Sequence, residues 1–244
     1  MKQIRISVEK LKIGDNEEWT GLERETHYSK EGLLLYEYRY GHEQERETVY
    51  TYNDQGQLVS KRVETENGSV MEVTYSYTED GKISEIRRVL DGGDGVQVER
   101  NIWNDDASEC KVLYEEKLSD GTISSWNYDE KYKGDLLVKS VRHSSDGKVM
   151  EIETYSHYPD GTLMEEVLTI ISEADGTPVE ETVTRSYNRN GEIVRISHPG
   201  DEVFEFTYEL DEEGNWTDMK VWDHTGALHE EFVREIAYWD DGED

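Results

Sequence analysis

The feature that most constrains this chain is a short motif that recurs along nearly all of it. Each copy has an aromatic residue, a polar turn and then Gly-x-Leu or Gly-x-Ile, as in Tyr52-Asn-Asp-Gln-Gly56-Gln-Leu58. The glycines of successive copies are Gly32, Gly56, Gly81, Gly134, Gly161, Gly191 and Gly214. The steps between them are 23 to 30 residues long, apart from one double step of 53 that contains the degenerate copy at 103–107. A period of this length is typical of a repeat array, in which each repeat is one supersecondary unit.

A second set of turn signals alternates with the first. Asn67-Gly68, Asp120-Gly121 and Asp146-Gly147 are examples, and such dipeptides supply the positive φ that tight hairpin turns require. The segments between turns, such as 69–77, are rich in Val, Thr and Tyr, which is strand composition. No segment has a capped apolar pattern of helical period. The sequence therefore predicts an all-β fold, an antiparallel meander of about sixteen strands built from about eight hairpin repeats.

Aromatic residues two positions apart, such as Tyr50 and Tyr52, share one face of a strand. Two shapes fit this pattern: a long twisted single-layer sheet, or a sheet curled so that the aromatic residues line its inside. We favour the curled sheet, because open sheets of more than about ten strands usually curl, split or flatten. In this interpretation the chain is a single array with an N-terminal cap at 1–24, repeats at 25–239 and a frayed acidic tail at 240–244.

The chain is strongly acidic, with 57 acidic and 26 basic residues and a net charge of −31. Such a field repels nucleic acid and anionic membrane surfaces and attracts basic partners. The alternative explanation is that the acidity only keeps a large exposed sheet soluble. Hydrophobic residues amount to 34%, against roughly 45–50% in ordinary globular chains, so we expect a thin core.

Three features favour a cytoplasmic protein. Cys110 is the only cysteine, so no internal disulfide can form, and single cysteines suit a reducing compartment. The N-terminal residues contain no apolar run of signal-peptide length. No window approaches the roughly 18 apolar residues that a membrane-spanning helix needs. The sequence therefore predicts a protein without direct membrane contact.

Two copies of the motif carry a resemblance to a known family. The segments Tyr50-Thr-Tyr-Asn-Asp-Gln-Gly-Gln-Leu58 and Tyr75-Ser-Tyr-Thr-Glu-Asp-Gly-Lys-Ile83 resemble the YD repeats of Rhs and related bacterial proteins. The resemblance implies a β-meander that, in the large members of the family, winds into a shell. The family's Asp is replaced here by Asn53 or Thr78, and no toxin domain follows the repeats. About eight repeats are also too few for the large shell, so the resemblance implies an architecture and no activity.

Residues that would carry catalysis or bind a metal are not arranged in any recognisable pattern. His224 and His229 are the closest histidine pair and are flanked by Asp223 and Glu230, but a zinc site would need further well-placed ligands. Pairs of carboxylates, the requirement of a glycosidase, arise by chance in a chain this acidic. No Walker A loop, nucleophile elbow or dinucleotide fingerprint occurs. We therefore predict no enzymatic activity, no cofactor and no metal.

Four tryptophans are the best candidates for contacting a partner, because they interrupt the tyrosine regularity and tryptophan is enriched at binding hot spots. They are Trp103, Trp126, Trp216 and Trp222. The alternative is that aromatic residues simply cover one another along the sheet.

Three hypotheses about function follow. The first is an intracellular, non-enzymatic binding protein, such as an immunity protein or inhibitor that clamps a basic nuclease effector. The second is an accessory or structural subunit of a larger defence assembly, docked through unpaired edge strands. The third is a carbohydrate-binding module.

Overall fold

A computed structural model describes residues 4–12, 19–40, 45–90, 95–174, 177–200 and 202–239. Every regular element within these ranges is a β-strand, and none is a helix long and apolar enough to cross a membrane. The strands are β1 (Ile4–Lys12), β2 (Trp19–Tyr28), β3 (Leu34–Arg39), β4 (Arg46–Tyr52), β5 (Leu58–Thr65), β6 (Val70–Tyr77), β7 (Ile83–Leu90), β8 (Gly95–Trp103), β9 (Glu109–Leu118), β10 (Ile123–Lys133), β11 (Leu136–His143), β12 (Val149–His157), β13 (Leu163–Ala174), β14 (Thr177–Tyr187), β15 (Ile193–Ser197), β16 (Val203–Leu210), β17 (Trp216–Trp222) and β18 (Leu228–Tyr238).

The strands form one closed antiparallel sheet. Each strand pairs with its neighbours in sequence, and β18 also pairs with β1, with Ala237 opposite Ile6 and Arg234 opposite Glu9. The predicted all-β antiparallel meander is confirmed. The predicted number of about sixteen strands is wrong, since there are eighteen, and of the two predicted shapes the open twisted sheet is wrong, because the sheet curves until its first and last strands pair. Closure pairs the two edges that an open meander would expose.

The eight aromatic-Gly turns lie between the strands β2 to β17, so the two extra strands are β1 and β18, one at each end of the chain. Strand β1 and the first residues of β2 lie within 1–24, the segment that the sequence assigned to a cap. This segment carries no aromatic-Gly turn, so nothing in it marks a hairpin of the repeat. The predicted acidic tail at 240–244 lies outside the described residues.

Alternation along each strand divides the sheet into two faces. In β9 the less exposed positions are Cys110, Val112, Tyr114 and Glu116, and the residues between them are exposed. Side chains on the concave side of a closed sheet converge, so the less exposed set is the inner face and the other set is the outer face. Residues opposite one another in the sheet register share a face.

The closed sheet is hollow. Its accessible surface is 15332 Å², whereas a compact monomer of 28.4 kDa exposes roughly 11,000 Å². The buried hydrophobic residues among those described are Val73, Val98, Cys110, Val112 and Val221. Eighteen strands enclose more space than side chains can fill. The expected thin core is therefore a wet interior lined by the inner face.

The two sets of turns lie at opposite ends of the sheet, and most of the described turns share one backbone conformation. At Gly56 the chain has φ +76°, Gly56 N donates to Asn53 O at 2.9 Å, and Asn53 N donates to Gln57 O at 2.9 Å. The turn at Gly68, at the other end, has φ +82° and the same pair of bonds. This is the three-residue hairpin loop that ends in a left-handed glycine. We call the end with the aromatic-Gly turns the aromatic rim and the opposite end the glycine rim.

At the aromatic rim, the aromatic residue of four repeats is bonded to the backbone of the preceding repeat. Its polar hydrogen is donated to the carbonyl of the Leu or Ile that follows the preceding glycine. The bonds are Tyr52 Oη to Leu34 O at 2.8 Å, Tyr77 Oη to Leu58 O at 2.7 Å, Trp103 Nε1 to Ile83 O at 3.1 Å and Tyr208 Oη to Ile193 O at 2.5 Å. The recurring motif therefore encodes a link between repeats as well as a turn.

Candidate functional site

The four candidate tryptophans do not form one cluster. Trp103 lies at the aromatic rim, where its ring packs 5.0 Å from that of Tyr132 and under the Lys82 ammonium at 4.4 Å. Trp126 lies on the inner face and stacks on Tyr114, with ring centroids 3.9 Å apart. Both tryptophans therefore pack on rings within strands β8 to β10, but on different rings.

The other two tryptophans lie at opposite ends of β17. Trp216 lies 6.4 Å from Tyr208 and under the Arg234 guanidinium at 5.1 Å. Trp222 donates from Nε1 to Thr207 Oγ1 at 3.0 Å and lies beside a depression lined partly by His224. Each of the four tryptophans therefore has a ring contact or a hydrogen bond within the sheet. This agrees with the alternative in which aromatic residues cover one another along the sheet.

Arginine and glutamate side chains pair along the inner face. Arg24 lies between Glu9 at 3.8 Å and Glu37 at 3.7 Å, which belong to the strands on either side. Further inner pairs are Arg234 with Glu9, Arg39 with Glu37, Arg88 with Glu99, Arg142 with Glu151 and Arg185 with Glu166. The inner arginines therefore neutralise an approximately equal number of inner glutamates.

One depression of about 410 Å³ lies on the inner face across β7 to β12. In its lining, Ser140 is directly opposite Glu130 on one side and Glu153 on the other. Tyr114 and Trp126 form part of its wall. It combines carboxylates, aromatic rings and a small hydroxyl side chain in one place.

Burial changes the acidity of two groups beside this depression. The pKa of the Glu130 carboxyl is raised above its usual value, mainly by burial, and also by the nearby charges of Glu99 and Glu153. The hydrogen bond that Tyr132 donates to Glu130 acts in the opposite direction. The pKa of the Cys110 thiol is raised to about 11, again mainly by burial. A thiol with so high a pKa is a weak nucleophile at neutral pH.

The histidine pair acquires no further ligands. Among the described residues no group of three or more His, Cys, Asp or Glu side chains is placed to hold a metal ion. His229 instead packs its ring 5.2 Å from Phe204.

Sequence reasoning missed the row of Glu130, Ser140 and Glu153. The only signal that could have identified it is strand register, because the three residues lie on three different strands. The sequence contains 57 acidic residues and nothing that distinguishes these two.

Comparison with known proteins gives no family for the chain. No family model matches it, and no curated protein matches it. Among solved structures, a porin-like protein from Bacteroides uniformis is similar at TM-score 0.47 and 14% identity, over 95% of each chain. A porin-like protein from Bacteroides vulgatus is similar at TM-score 0.38 and 10% identity, over 98% of this chain and 99% of that one.

A third solved structure, described as TcdB2-TccC3-Cdc42, is similar at TM-score 0.37 and 14% identity. The match covers 97% of this chain and 14% of that one, so this chain spans a small part of that protein. All three TM-scores are too low to support an inference about this chain.

Proposed function

We propose that the protein is a non-enzymatic, cytoplasmic binding protein that holds a basic protein partner on its acidic outer surface, as an immunity protein or inhibitor of a nuclease effector would. The observation that carries the proposal is the separation of charge between the two faces. Six arginines of the inner face are paired with five glutamates and contribute almost nothing to the net charge of −31. The acidic excess therefore belongs largely to the outer face and the rims.

Charge on the outer surface acts mainly on the rate at which the protein associates with a partner and on which partner it selects. A single-sign surface accelerates encounter with an oppositely charged partner and excludes partners of like charge. The interior pairs support this use of the surface, because they hold basic side chains where they cannot cancel the external field. Acidity that served solubility alone would not require basic residues to be placed inside.

The composition of the outer face supports a location in water. On β9 the exposed positions are Glu109, Lys111, Leu113, Glu115 and Lys117. A lysine turned towards the middle of a lipid bilayer costs roughly 2–4 kcal/mol. The charged residues at every second position along the middle of β9 are therefore suited to contact with water or with a polar partner.

Two structural features argue against the binding modes expected for the alternatives, an accessory subunit and a carbohydrate-binding module. An accessory subunit that docks by strand addition needs an unpaired edge, whereas β1 and β18 pair with each other. A carbohydrate module needs a free aromatic face, whereas Trp126 is stacked on Tyr114 and lies 5.2 Å from the Arg142 guanidinium.

The test is a pull-down of the tagged protein from its native host, washed at low and at high salt and analysed by mass spectrometry. We expect one basic protein at low salt and its loss at high salt, because surface attraction is screened beyond about 10 Å at 0.1 M salt. Recovery of the same set of proteins after both washes would contradict the proposal.

A pair of variants tests the role of the outer charges on the captured complex. Glu72 and Glu115 are exposed outer-face residues, as are the neutral Thr51 and Thr74. We expect E72K/E115K to slow association several-fold at low salt and the matched variant T51Q/T74Q to leave the rate unchanged. Equal association rates for the two variants would show that the outer charge does not steer the partner.

A further inference from the structure

A small residue separates two glutamates in the lining of the inner-face depression. Ser140 of β11 is 4% exposed and is directly opposite Glu130 of β10 and Glu153 of β12. The Cβ atoms of directly opposite residues lie about 4.5–5.5 Å apart. The two longer side chains therefore extend over a serine that is too short to fill the space between them, and this creates the depression.

Three hydrogen-bond acceptors remain available at this point. Tyr132 donates to Glu130 Oε2 at 2.7 Å, and Tyr155 donates to Glu153 Oε2 at 2.5 Å. Within the part of the chain that the structure describes, neither glutamate accepts a side-chain hydrogen bond on Oε1, and the Ser140 hydroxyl has no partner. Glu130, Ser140 and Glu153 therefore bring these acceptors side by side on three adjacent strands that line the depression.

The walls around these oxygens are aromatic. Tyr114, Trp126, Tyr128 and Tyr155 all line the same depression, and since Trp126 already contacts Tyr114 and the Arg142 guanidinium, the walls for a ligand are Tyr128 and Tyr155. Aromatic faces within about 6 Å attract ammonium and guanidinium groups. Carboxylates together with aromatic walls are the chemistry that recognises an organic cation.

The protein's own cations near the depression are already paired. The Arg88 guanidinium lies 3.3 Å from Glu99, and that of Arg142 lies 3.6 Å from Glu151. Glu130 and Glu153 have no such basic partner within 4.0 Å among the described residues. The negative charge around Ser140 is therefore left for a ligand to neutralise.

We propose that the part of the inner-face depression around Ser140 binds an organic cation, a primary ammonium or guanidinium group held between the Glu130 and Glu153 carboxylates. The cation is carried either by a small polyamine or by the lysine or arginine side chain of a peptide. The site lies inside the closed sheet, so it is separate from the outer surface proposed to hold a protein partner, and either proposal can fail without the other.

Binding at this site would depend on pH. The groups that face the Glu130 carboxyl are Glu99 on β8, Cys110 on β9, Tyr132 on β10 and Glu153 on β12. Burial and the two neighbouring carboxylates raise the pKa of Glu130. A cation favours the ionised carboxylate. We therefore expect affinity to fall as the pH is lowered through the pKa of Glu130.

The experiment is calorimetric titration of the whole purified protein at constant ionic strength, with tryptophan fluorescence as a second readout because Trp126 lines the site. The probes are spermidine and an acetylated, amidated trilysine peptide. Binding of spermidine alone identifies a free polyamine as the source, and binding of both identifies a cation that a peptide can also carry. Either result supports the proposal, and saturable binding of neither probe overturns it.

Four variants separate a specific site from general attraction to an acidic protein. We expect E130Q and E153Q each to weaken binding about tenfold, since each loses a charge-assisted bond. S140L should weaken it at least as much by filling the depression at unchanged charge. The matched variant E115Q removes one charge from the outer face of β9 and should change affinity less than twofold. Equal weakening by E115Q, E130Q and E153Q would overturn the site, even if S140L failed to fold.

Discussion

The two rims of the closed sheet have the same backbone turns and different side-chain bonds. Gly81 at the aromatic rim and Gly68 at the glycine rim have φ values of +85° and +82°, and both turns close with the same pair of backbone bonds. Among the described residues, only the aromatic rim has a recurring bond between repeats, which joins four repeats to the one before, as Tyr77 does to Leu58 O. The local turn is thus common to both ends, and the link between repeats belongs to one.

This difference explains where the sheet tolerates variation in strand length. Strand β13 has 12 residues, whereas β15 has 5. Both strands begin at the aromatic rim, where Tyr208 donates to Ile193 O at the start of β15, and Tyr158, which precedes β13, donates to Tyr187 O. Differences in length therefore accumulate at the glycine rim, whose turns need only satisfy their own backbone.

The largest effect should come from removing two of the links between repeats. Tyr52→Phe combined with Tyr77→Phe takes the donors away from Leu34 O and Leu58 O. We expect the free energy of unfolding to fall by about 2–3 kcal/mol, measured by urea unfolding, because each lost bond leaves a carbonyl without its donor. Tyr36→Phe is the matched control, since no described residue accepts a hydrogen bond from that hydroxyl. If Tyr36→Phe lowered the free energy of unfolding as much as the double variant, the hydrogen bonds between repeats would not distinguish the aromatic rim from the glycine rim.

A smaller effect, equal at the two rims, should follow from adding a Cβ to a turn glycine. Gly81→Ala and Gly68→Ala each force alanine into the left-handed region, at a cost of about 1–2 kcal/mol. A Cβ at Gly68 meets nothing within 4 Å, and one at Gly81 meets only the flexible end of Gln57 at 3.4 Å. A difference of more than about 1 kcal/mol between the two variants, on thermal or urea unfolding, would show that the turns are not equivalent.

A still smaller gain should come from repairing the degenerate turn. Ala107 has φ +55° where the other copies have glycine. We expect Ala107→Gly to stabilise the protein by about 0.5 kcal/mol, because relief of the backbone strain exceeds the added flexibility of the unfolded chain. The measurement is urea unfolding. A variant less stable than the parent protein would show that the left-handed backbone at Ala107 is not strained.

The smallest signal is the titration of a single tyrosine at the aromatic rim. Burial, aided by the charge of Glu192, raises the pKa of Tyr208 to about 12. Because the unfolded chain ionises this group near pH 10, its contribution to stability is complete below pH 10 and is lost between about pH 10 and 12. The pKa values of Tyr38, Tyr187 and Tyr238 are also raised to about 12, so phenolate absorbance near pH 12 should fall by the contribution of one ring in Tyr208→Phe. An unchanged titration curve in that variant would show that the Tyr208 hydroxyl is not shielded.

Local features of the fold were predictable from the sequence, and closure was not. Gly56 and Gly68 reveal their turns because few other residues accept positive φ. The pairing of Ile6 with Ala237 joins ordinary strand residues more than two hundred positions apart, and no residue type marks it. The outcome for Trp126 is similar, because its neighbour Tyr114 is set by register across two strands and not by spacing along the chain.

The seam between β1 and β18 has a consequence for the order of folding. The other pairings join consecutive strands, whose contacts form over short loops, whereas Glu9 and Arg234 lie at opposite ends of the chain. Bringing such distant segments together costs about 2 kcal/mol more in chain entropy than closing a hairpin of about twenty residues. The hairpins should therefore assemble first and the ring close last, and hydrogen exchange at the amides of β1 should report the opening of the ring before any other strand separates.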